Sequence, residues 1–535
     1  MRVTGYYELT KCTGKWLKCS KPLHLSGSMY RQSSPGQLSF ENFYLPFGGK
    51  LSGENRWVKL SELIPWEEFE TLYAQQFSDE QGAPAKSFRM ALGALIIKER
   101  LGTSDRETVE QIRENPYLQY FLGLHEYCDD APFDASMLVH FRKRIDLDLV
   151  LQVNESVVPM GLESSAQDAE SEQAQASTSK DDESDPPDDP PSPENQGKLI
   201  ADASCAPADI RYPTDLDVLN EAREHSERLI DELYQQVAGC VPKKPRTYRC
   251  KARKVYLSIA KKRKKSRKVI RKGVRQQLNF LRRNLGHIDA LMAAGASLAA
   301  LNPREYRTLL VIHEVFRQQQ HMYDQKTHRI DDRIVSISQP HVRPIVRGKA
   351  RTPVEFGAKL SISCVEGYVF LDHLSWDNYN ESGDLIEQIE QFRTRTGHYP
   401  ESVHVDQIYR TRPNLDWCKQ HGIRLSGSPL GRPSLDETKQ AQLRQQARED
   451  ERIRVAVEGK FGQAKRRFGL ACVMAKLAQT AETMIAITVL VMNLEKRLRR
   501  FIFGLINGWL QLPDLATQTW VGYIIYTRRN TFVLP

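Results

Sequence analysis

The sequence predicts an α/β domain that carries a helical, basic insertion and is preceded by an all-helical N-terminal domain, and three observations lead there. Residues 57–151 place apolar side chains such as Leu60, Leu63, Phe69, Leu72 and Tyr73 near helical spacing. Residues 161–197 are rich in Asp, Glu, Ser, Gln and Pro and hold too little apolar surface to bury a core. Beyond them, segments with the period of strands alternate with segments with the period of helices.

Taken in order, residues 1–56 form a lead, of which 1–28 read poorly as structure and Met29 offers a second start. Residues 57–155 form the helical domain. Within it Phe88–Ile97 reads as a buried helix ending near Leu101-Gly102, and Ser104-Asp105-Arg106-Glu107 as a capping box opening a helix that stops near Asn115-Pro116. Two helices about a tight Gly turn are either a helix-turn-helix that enters a DNA groove or a plain helical hairpin. Residues 156–197 are an acidic, disordered linker. The α/β domain spans 198–510, its basic insertion covers about 240–320, and 511–535 are a tail. Strands are expected at Lys198–Ala203, Arg333–Ile337, Glu355–Ser363 and Ser402–Asp406, and helices at Asp215–Val237, Asn279–Gln320, Glu449–Phe468 and Ala481–Phe503.

The chain has 535 residues, 40% hydrophobic and 27% charged, the balance of a soluble globular protein. Its net charge of +9 conceals a segregation: residues 163–197 hold eleven acids against the single base Lys180, so the remainder carries +19. Such a surface attracts nucleic acid by neutralising phosphates. The basic character peaks between Lys243 and Arg283, with nineteen Lys or Arg and no acid, centred on Lys261, Lys262, Arg263, Lys264 and Lys265. Arg347 and Lys349 form a second, smaller basic segment suited to the DNA backbone. Nine cysteines without regular spacing argue against a disulfide framework and for a reducing cytoplasm. The N-terminus has no apolar run of a secretory signal, and Met484–Leu494 falls short of the ~18 residues a membrane span needs.

Two aspartates end expected apolar strands: Asp202 in Leu199-Ile200-Ala201-Asp202, and Asp406 in Val403-His404-Val405-Asp406. A carboxylate held there can face a cleft and ligate a hard cation such as Mg²⁺, although singly each reads equally as a turn or cap residue. The helix at 449–468 adds Arg454, Glu458 and Lys465 at i, i+4 and i+11, within roughly 40° of one another around the axis. Glu458 can complete a metal cage, Arg454 can orient it or grip a phosphate, and Lys465 can bind the DNA backbone. An exposed helix with ordinary i, i+4 pairs is the plainer account of that stripe.

Together these residues resemble the DDE transposases of bacterial insertion sequences of the family four and five type, which carry a Tyr-x2-Arg-x3-Glu-x6-Lys signature. The words Asp202-Ala203-Ser204-Cys205-Ala206-Pro207, Tyr212-Pro213-Thr214-Asp215-Leu216 and Val457-Glu458-Gly459-Lys460-Phe461-Gly462 resemble members of family five. The signature's Tyr falls on Glu451, which makes Glu451 a rival to Glu458 as third acid. The resemblance implies a ribonuclease H-like fold, and Asp202, Asp406 and Glu458 as catalytic and metal ligands. It also implies two Mg²⁺ ions with Mn²⁺ as a substitute, binding of double-stranded DNA at terminal inverted repeats, hydrolysis that frees a 3′-hydroxyl, and strand transfer by a homodimer on the nucleoid. The alternative is a non-catalytic or degenerate nucleic-acid-binding protein whose acids are structural.

Two other patterns are set aside. His421-Gly422-Ile423-Arg424 matches the His-x-x-Arg of tyrosine recombinases, but the next tyrosine is Tyr523. Cys12 with Cys19, or Cys418 with His421, is half a zinc site without a second pair.

Overall fold

A computed structural model describes residues 39–77, 85–159, 195–346, 354–427 and 437–510. The first 38 residues, most of the acidic linker, the C-terminal tail, and both Arg347 and Lys349 lie outside the described residues.

The N-terminal part is helical: α1 (Arg56–Glu62), α2 (Trp66–Ala74), α3 (Phe88–Leu101), α4 (Asp105–Glu114), α5 (Pro116–Phe121), α6 (Met137–Arg144) and α7 (Leu147–Val157). Local chemistry sets its boundaries. Ser87 caps α3 by accepting from the Met90 N–H, and Gly102 ends it in the left-handed region at φ 67°. Ser104 caps α4 at Glu107 N–H, and Asn115 caps α5 with Pro116 in its first turn. Helix α3 is buried on most faces. The exposed residues of α4 include Arg106, Glu107, Glu110 and Glu114, a surface no more basic than acidic.

The second part is built on a mixed sheet of β1 (Lys198–Pro207), β2 (Arg343–Val346), β3 (Val354–Val365), β4 (Tyr368–Ser375), β5 (Ser402–His404) and β6 (Arg424–Leu425). Strand β3 runs antiparallel to β1, β2 and β4, whereas β5 and β6 extend the sheet in parallel on the far side of β1. Gly357 is paired with both Pro207 and Arg343, so β2 and β4 share the edge of β3 opposite β1. A side chain there has no room, because a Cβ on Gly357 would stand 2.0 Å from the Ala206 carbonyl oxygen.

Between β1 and β2 the chain forms α8 (Asp215–Val237), α9 (Arg249–Ala260), α10 (Arg267–Ala293) and α11 (Pro303–Asp324). Helices α8, α10 and α11 share a core of their own around Leu219, Leu233, Leu281, Ile288 and Ile312. The inserted unit therefore begins with α8, earlier than the basic composition alone indicates. The expected single helical stretch at 279–320 is two helices. Gly295 turns the chain at φ 104°, and Asn302 with Glu305 forms a capping box over Pro303.

The expected strand at Arg333–Ile337 is irregular backbone. Its alternation is real, with Ile334 and Ile337 in the core of α8, α10 and α11 and Val335 packed beside Ala208 and Val342. The backbone, however, pairs with a side chain: Ile334 N–H donates to Gln318 Oε1 at 2.9 Å, and Gln318 Nε2 donates to the Asp332 carbonyl at 3.0 Å. Alternating burial between two cores mimics a strand in the sequence.

After β4 come α12 (Leu385–Thr396) and α13 (Arg412–Gln420), which cover one face of the sheet, then α14 (Glu437–Arg467) and α15 (Ala478–Leu510). The other face shares one continuous core with α3, α6, α7, α14 and α15. Its centre is the apolar run of α15, where Ile487, Leu490, Val491 and Leu494 are all buried. Among the described residues no helix is long and apolar enough to cross a membrane. Asn493 of α15 also closes the β4 edge, accepting from Val369 N–H at 2.9 Å and donating to Val369 O at 2.7 Å. The seven described cysteines are free thiols.

Candidate active site

Strand β5 pairs with β1 only at Lys198–Ile200, while β3 follows β1 from Leu199 to Pro207. From Asp202 onward the β5 side of β1 therefore has no strand beside it, and a cleft of about 1010 Å³ opens there, with α14 along one wall. Asp202, Asp406, Glu458, Arg454 and Lys465 all line it.

Asp202 lies within β1, five residues before its end, and not at a strand terminus as expected. It is half-buried, and Oδ1 accepts from the Ala203 N–H at 2.8 Å. Burial raises its carboxyl to about 6, Asp406 and Glu381 add to the rise, and the Ala203 N–H and Arg454 oppose it. Asp406 stands two residues beyond β5, exposed, and caps the turn Gln407–Tyr409 by accepting from Gln407 N–H at 2.7 Å. Beneath it Tyr409 is fully buried with its hydroxyl unpartnered, and burial together with Asp202 pushes that phenol well above its ordinary range.

On α14 the expected stripe exists and is tied together. Arg454 grips Glu451 with two hydrogen bonds of 2.7 and 3.1 Å and reaches Glu458 Oε1 at 3.1 Å. The bond to Glu451 is the largest reason its guanidinium is held above the usual range, and it draws the Glu451 carboxyl below its own. Glu458 is a cleft residue and Glu451 is not among the lining. Lys465 Nζ donates to Ser204 Oγ at 3.0 Å, which fixes the end of α14 over β1.

Other lining residues carry no signal in the motif. Lys359 of β3 pairs with Glu381, donates to the Tyr379 carbonyl at 2.7 Å, and lies 4.8 Å from the Tyr379 ring centroid. Tyr379, whose phenol is raised by burial, shares a 2.9 Å hydrogen bond with Ser361. The only trace of this wall in the sequence is the polar run Asp377–Glu381 after an apolar strand.

The donor set, carboxylate oxygens and nothing softer, suits a hard divalent cation. The carboxylates share the cleft without converging: among the described residues no three His, Cys, Asp or Glu side chains are gathered closely enough to hold an ion. Of the two half zinc sites set aside above, Cys12 and Cys19 lie outside the described residues, and Cys418 is a buried free thiol. His421 stacks on Trp417 at 4.0 Å, and Arg424 pairs with Asp450 at 2.9 Å. The five cations Lys261, Lys262, Arg263, Lys264 and Lys265 are exposed in the connection between α9 and α10, away from the cleft lining.

Comparison with known proteins bears on both parts of the chain. Residues 403–495 match the family model described as Transposase DDE domain, and residues 46–144 match Transposase domain (DUF772). The first span contains Asp406, Arg454, Glu458 and Lys465, and Asp202 precedes it. The chain is 30% identical over 158 residues to Uncharacterized protein ORF8 in nfe locus of Rhizobium meliloti, covering 30% of this chain and 64% of that protein. No solved structure matches. The chain thus carries a DDE transposase domain and a second transposase domain.

Proposed function

We propose that this protein is an insertion-sequence transposase that binds terminal inverted repeats, cleaves DNA by metal-dependent hydrolysis and joins the 3′-hydroxyl ends to target DNA. One observation carries the reading: Asp202 inside β1, Asp406 just beyond β5 and the Arg454–Glu458–Lys465 stripe of a helix, distant in sequence, line one cleft inside a chain with two transposase-domain matches. The six-stranded sheet, four antiparallel strands extended by two parallel ones, supports a ribonuclease H-like fold for residues 198–510.

Asp202, Asp406 and Glu458 would hold Mg²⁺ or Mn²⁺, and a pair of such ions supplies activation of the attacking oxygen and stabilisation of the leaving one. The chain's own side chains do the rest. Asp202 is held rigid by β1 and poised for a positive neighbour, since burial and Asp406 disfavour its charge in isolation. Arg454 keeps Glu458 at the cleft wall and offers its guanidinium to a phosphate. Lys465 and Lys359 give the walls positive charge for the backbone. The exposed basic surface of α9 and α10 holds double-stranded DNA through phosphates with little sequence preference. A homodimer would bring two element ends together.

The test is incubation of a fragment bearing the element's terminal repeats with Mg²⁺, comparing wild type with Asp202→Ala, Asp406→Ala and Glu458→Ala. Cleavage by wild type alone supports the assignment, and equal cleavage by all four proteins removes it. Binding without any Mg²⁺-dependent cleavage points to the second reading, a non-catalytic DNA-binding protein. The unconverged carboxylates are the observation that favours it.

A further inference from the structure

Helix α14 presents Glu458 to the cleft, and two residues on, about 200° around the axis, it presents Lys460 to the opposite flank. There Lys460 meets α15 and the hairpin turn between β3 and β4. The turn is Glu366-Gly367, both residues in the left-handed region at φ 48° and 75°, the conformation of a tight two-residue hairpin. A Cβ built on Gly367 would stand 2.6 Å from Lys496 Nζ and 3.9 Å from Lys460 Nζ. The absence of a side chain thus leaves a notch into which two ammonium groups project. Lys496 lies 4.3 Å from the centroid of the Tyr368 ring and Arg500 5.2 Å from it.

Lys460 and Lys496 are half-buried, and among the described residues neither pairs with a carboxylate. Arg499 acts on Lys460 and Arg500 on Lys496 with like charge, and Glu366 on the turn acts on Lys496 with the opposite sign. Nearby Glu495 is already committed to Arg100 and Arg467. Burial, then Arg500 and Lys460, pull the Lys496 ammonium down to about 8. The phenol oxygen of Tyr368, in a residue with 0% exposure, has no hydrogen-bond partner among the described residues. Two lysines brought together at a half-buried site repel each other unless an anion sits between them. A phosphate group, diester or free, offers tetrahedrally spaced oxygens to the two ammonium groups, and lysine is a common point-charge ligand for phosphate.

We propose that the notch between the Glu366-Gly367 turn, α14 and α15 is a phosphate-binding site with Lys460 and Lys496 as its two cationic walls. Its ligand is either a backbone phosphodiester of a DNA segment lying on the flank of α14 away from the cleft, or a free phosphate species. The proposal does not rest on the chemistry of the cleft, and its tests need no cleavage.

Thermal unfolding of the full chain is compared in phosphate and in chloride at matched ionic strength, for wild type, Lys460→Met and Lys496→Met. Wild type unfolds at a higher temperature in phosphate. Each variant keeps or raises its chloride melting temperature, because a like-charge repulsion is removed while the aliphatic stem remains, and loses the phosphate increment. The increment's absence in wild type, or its survival in both variants, overturns the site. A measurement on the unmodified protein stands beside these: phosphate slows acetylation of Lys460 and Lys496 by an amine-reactive ester roughly tenfold relative to exposed Lys50. Equal protection of all three lysines also overturns it. Duplex binding followed by fluorescence anisotropy against salt separates the sources. A log–log slope shallower by about one in the double variant, for the one phosphate held in the notch, assigns a DNA backbone ligand. An unchanged slope with a lost phosphate increment assigns a free phosphate.

Discussion

In the cleft, charges of opposite sign are held against one another, whereas between Lys243 and Arg283 of the insertion charges of one sign are left in water. Arg454 is shared between Glu451 and Glu458, Lys359 is locked to Glu381, and Asp202 is half-buried with its charge disfavoured. Of the nineteen cations between Lys243 and Arg283, by contrast, all but Arg283 are exposed, and most make no ion pair. Buried and partly buried electrostatics act over short distances in a weakly screened medium, so the cleft depends on the placement of single atoms. Exposed charge acts collectively and is screened within about 10 Å at 0.1 M salt, so the insertion depends on a sum.

The sharpest break would come from the aspartates. Asp202→Asn and Asp406→Asn should each lower Mg²⁺-dependent cleavage by at least on the order of a thousandfold, as expected when several kcal/mol of charge stabilisation are lost. Duplex affinity, read by anisotropy, should stay within about twofold of wild type, because no exposed cation is touched. A parallel loss of binding would mean that the two regions are not separable.

The next effect distinguishes the rival acids of α14. Glu458→Gln should cost roughly a hundredfold in cleavage, since Glu458 faces the cleft. Glu451→Gln should cost only a few-fold, through the loosened grip on Arg454. Steady-state cleavage rates for the two variants settle the order, and its reversal would make Glu451 the third acid.

Replacing Lys261, Lys262, Arg263, Lys264 and Lys265 together by Gln should make the log–log salt dependence of duplex binding shallower by about four, with cleavage at saturating protein retained. The smallest change is expected from Arg263→Gln alone, which should shift that slope by less than about one. A single substitution as damaging as the set of five would show a specific contact in place of a summed field.

Much of the architecture was legible because its determinants are local. Caps at Ser87, Ser104 and Asn115 and the left-handed Gly102 fix helix ends through bonds within a few residues, so α3 and α4 are legible nearly in place, whereas α9, α12 and α13 are not among the expected helices and α14 begins before the expected Glu449. The strand expected at 333–337 failed because burial on alternate sides arises from two neighbouring cores as readily as from a pleated sheet. The single helix expected at 279–320 missed a break that Gly295 and Pro303 signal by themselves.

By itself, the sequence determined the spacing of Arg454, Glu458 and Lys465 on one stripe, the segregation of acid into the linker and base into the insertion, and the apolar run that became the centre of α15. Periodicity and composition are properties of neighbouring residues, and neighbours in sequence are what a single chain displays. Only the tertiary structure decided that Asp202 sits inside β1 beside the point where β5 stops, and that Lys359 and Glu381 complete the cleft wall. It also decided that Lys460 and Lys496 meet over Gly367, on the far side of the helix that carries Glu458. Those are contacts between segments far apart in the chain, brought together by a shared core, and no local pattern encodes them.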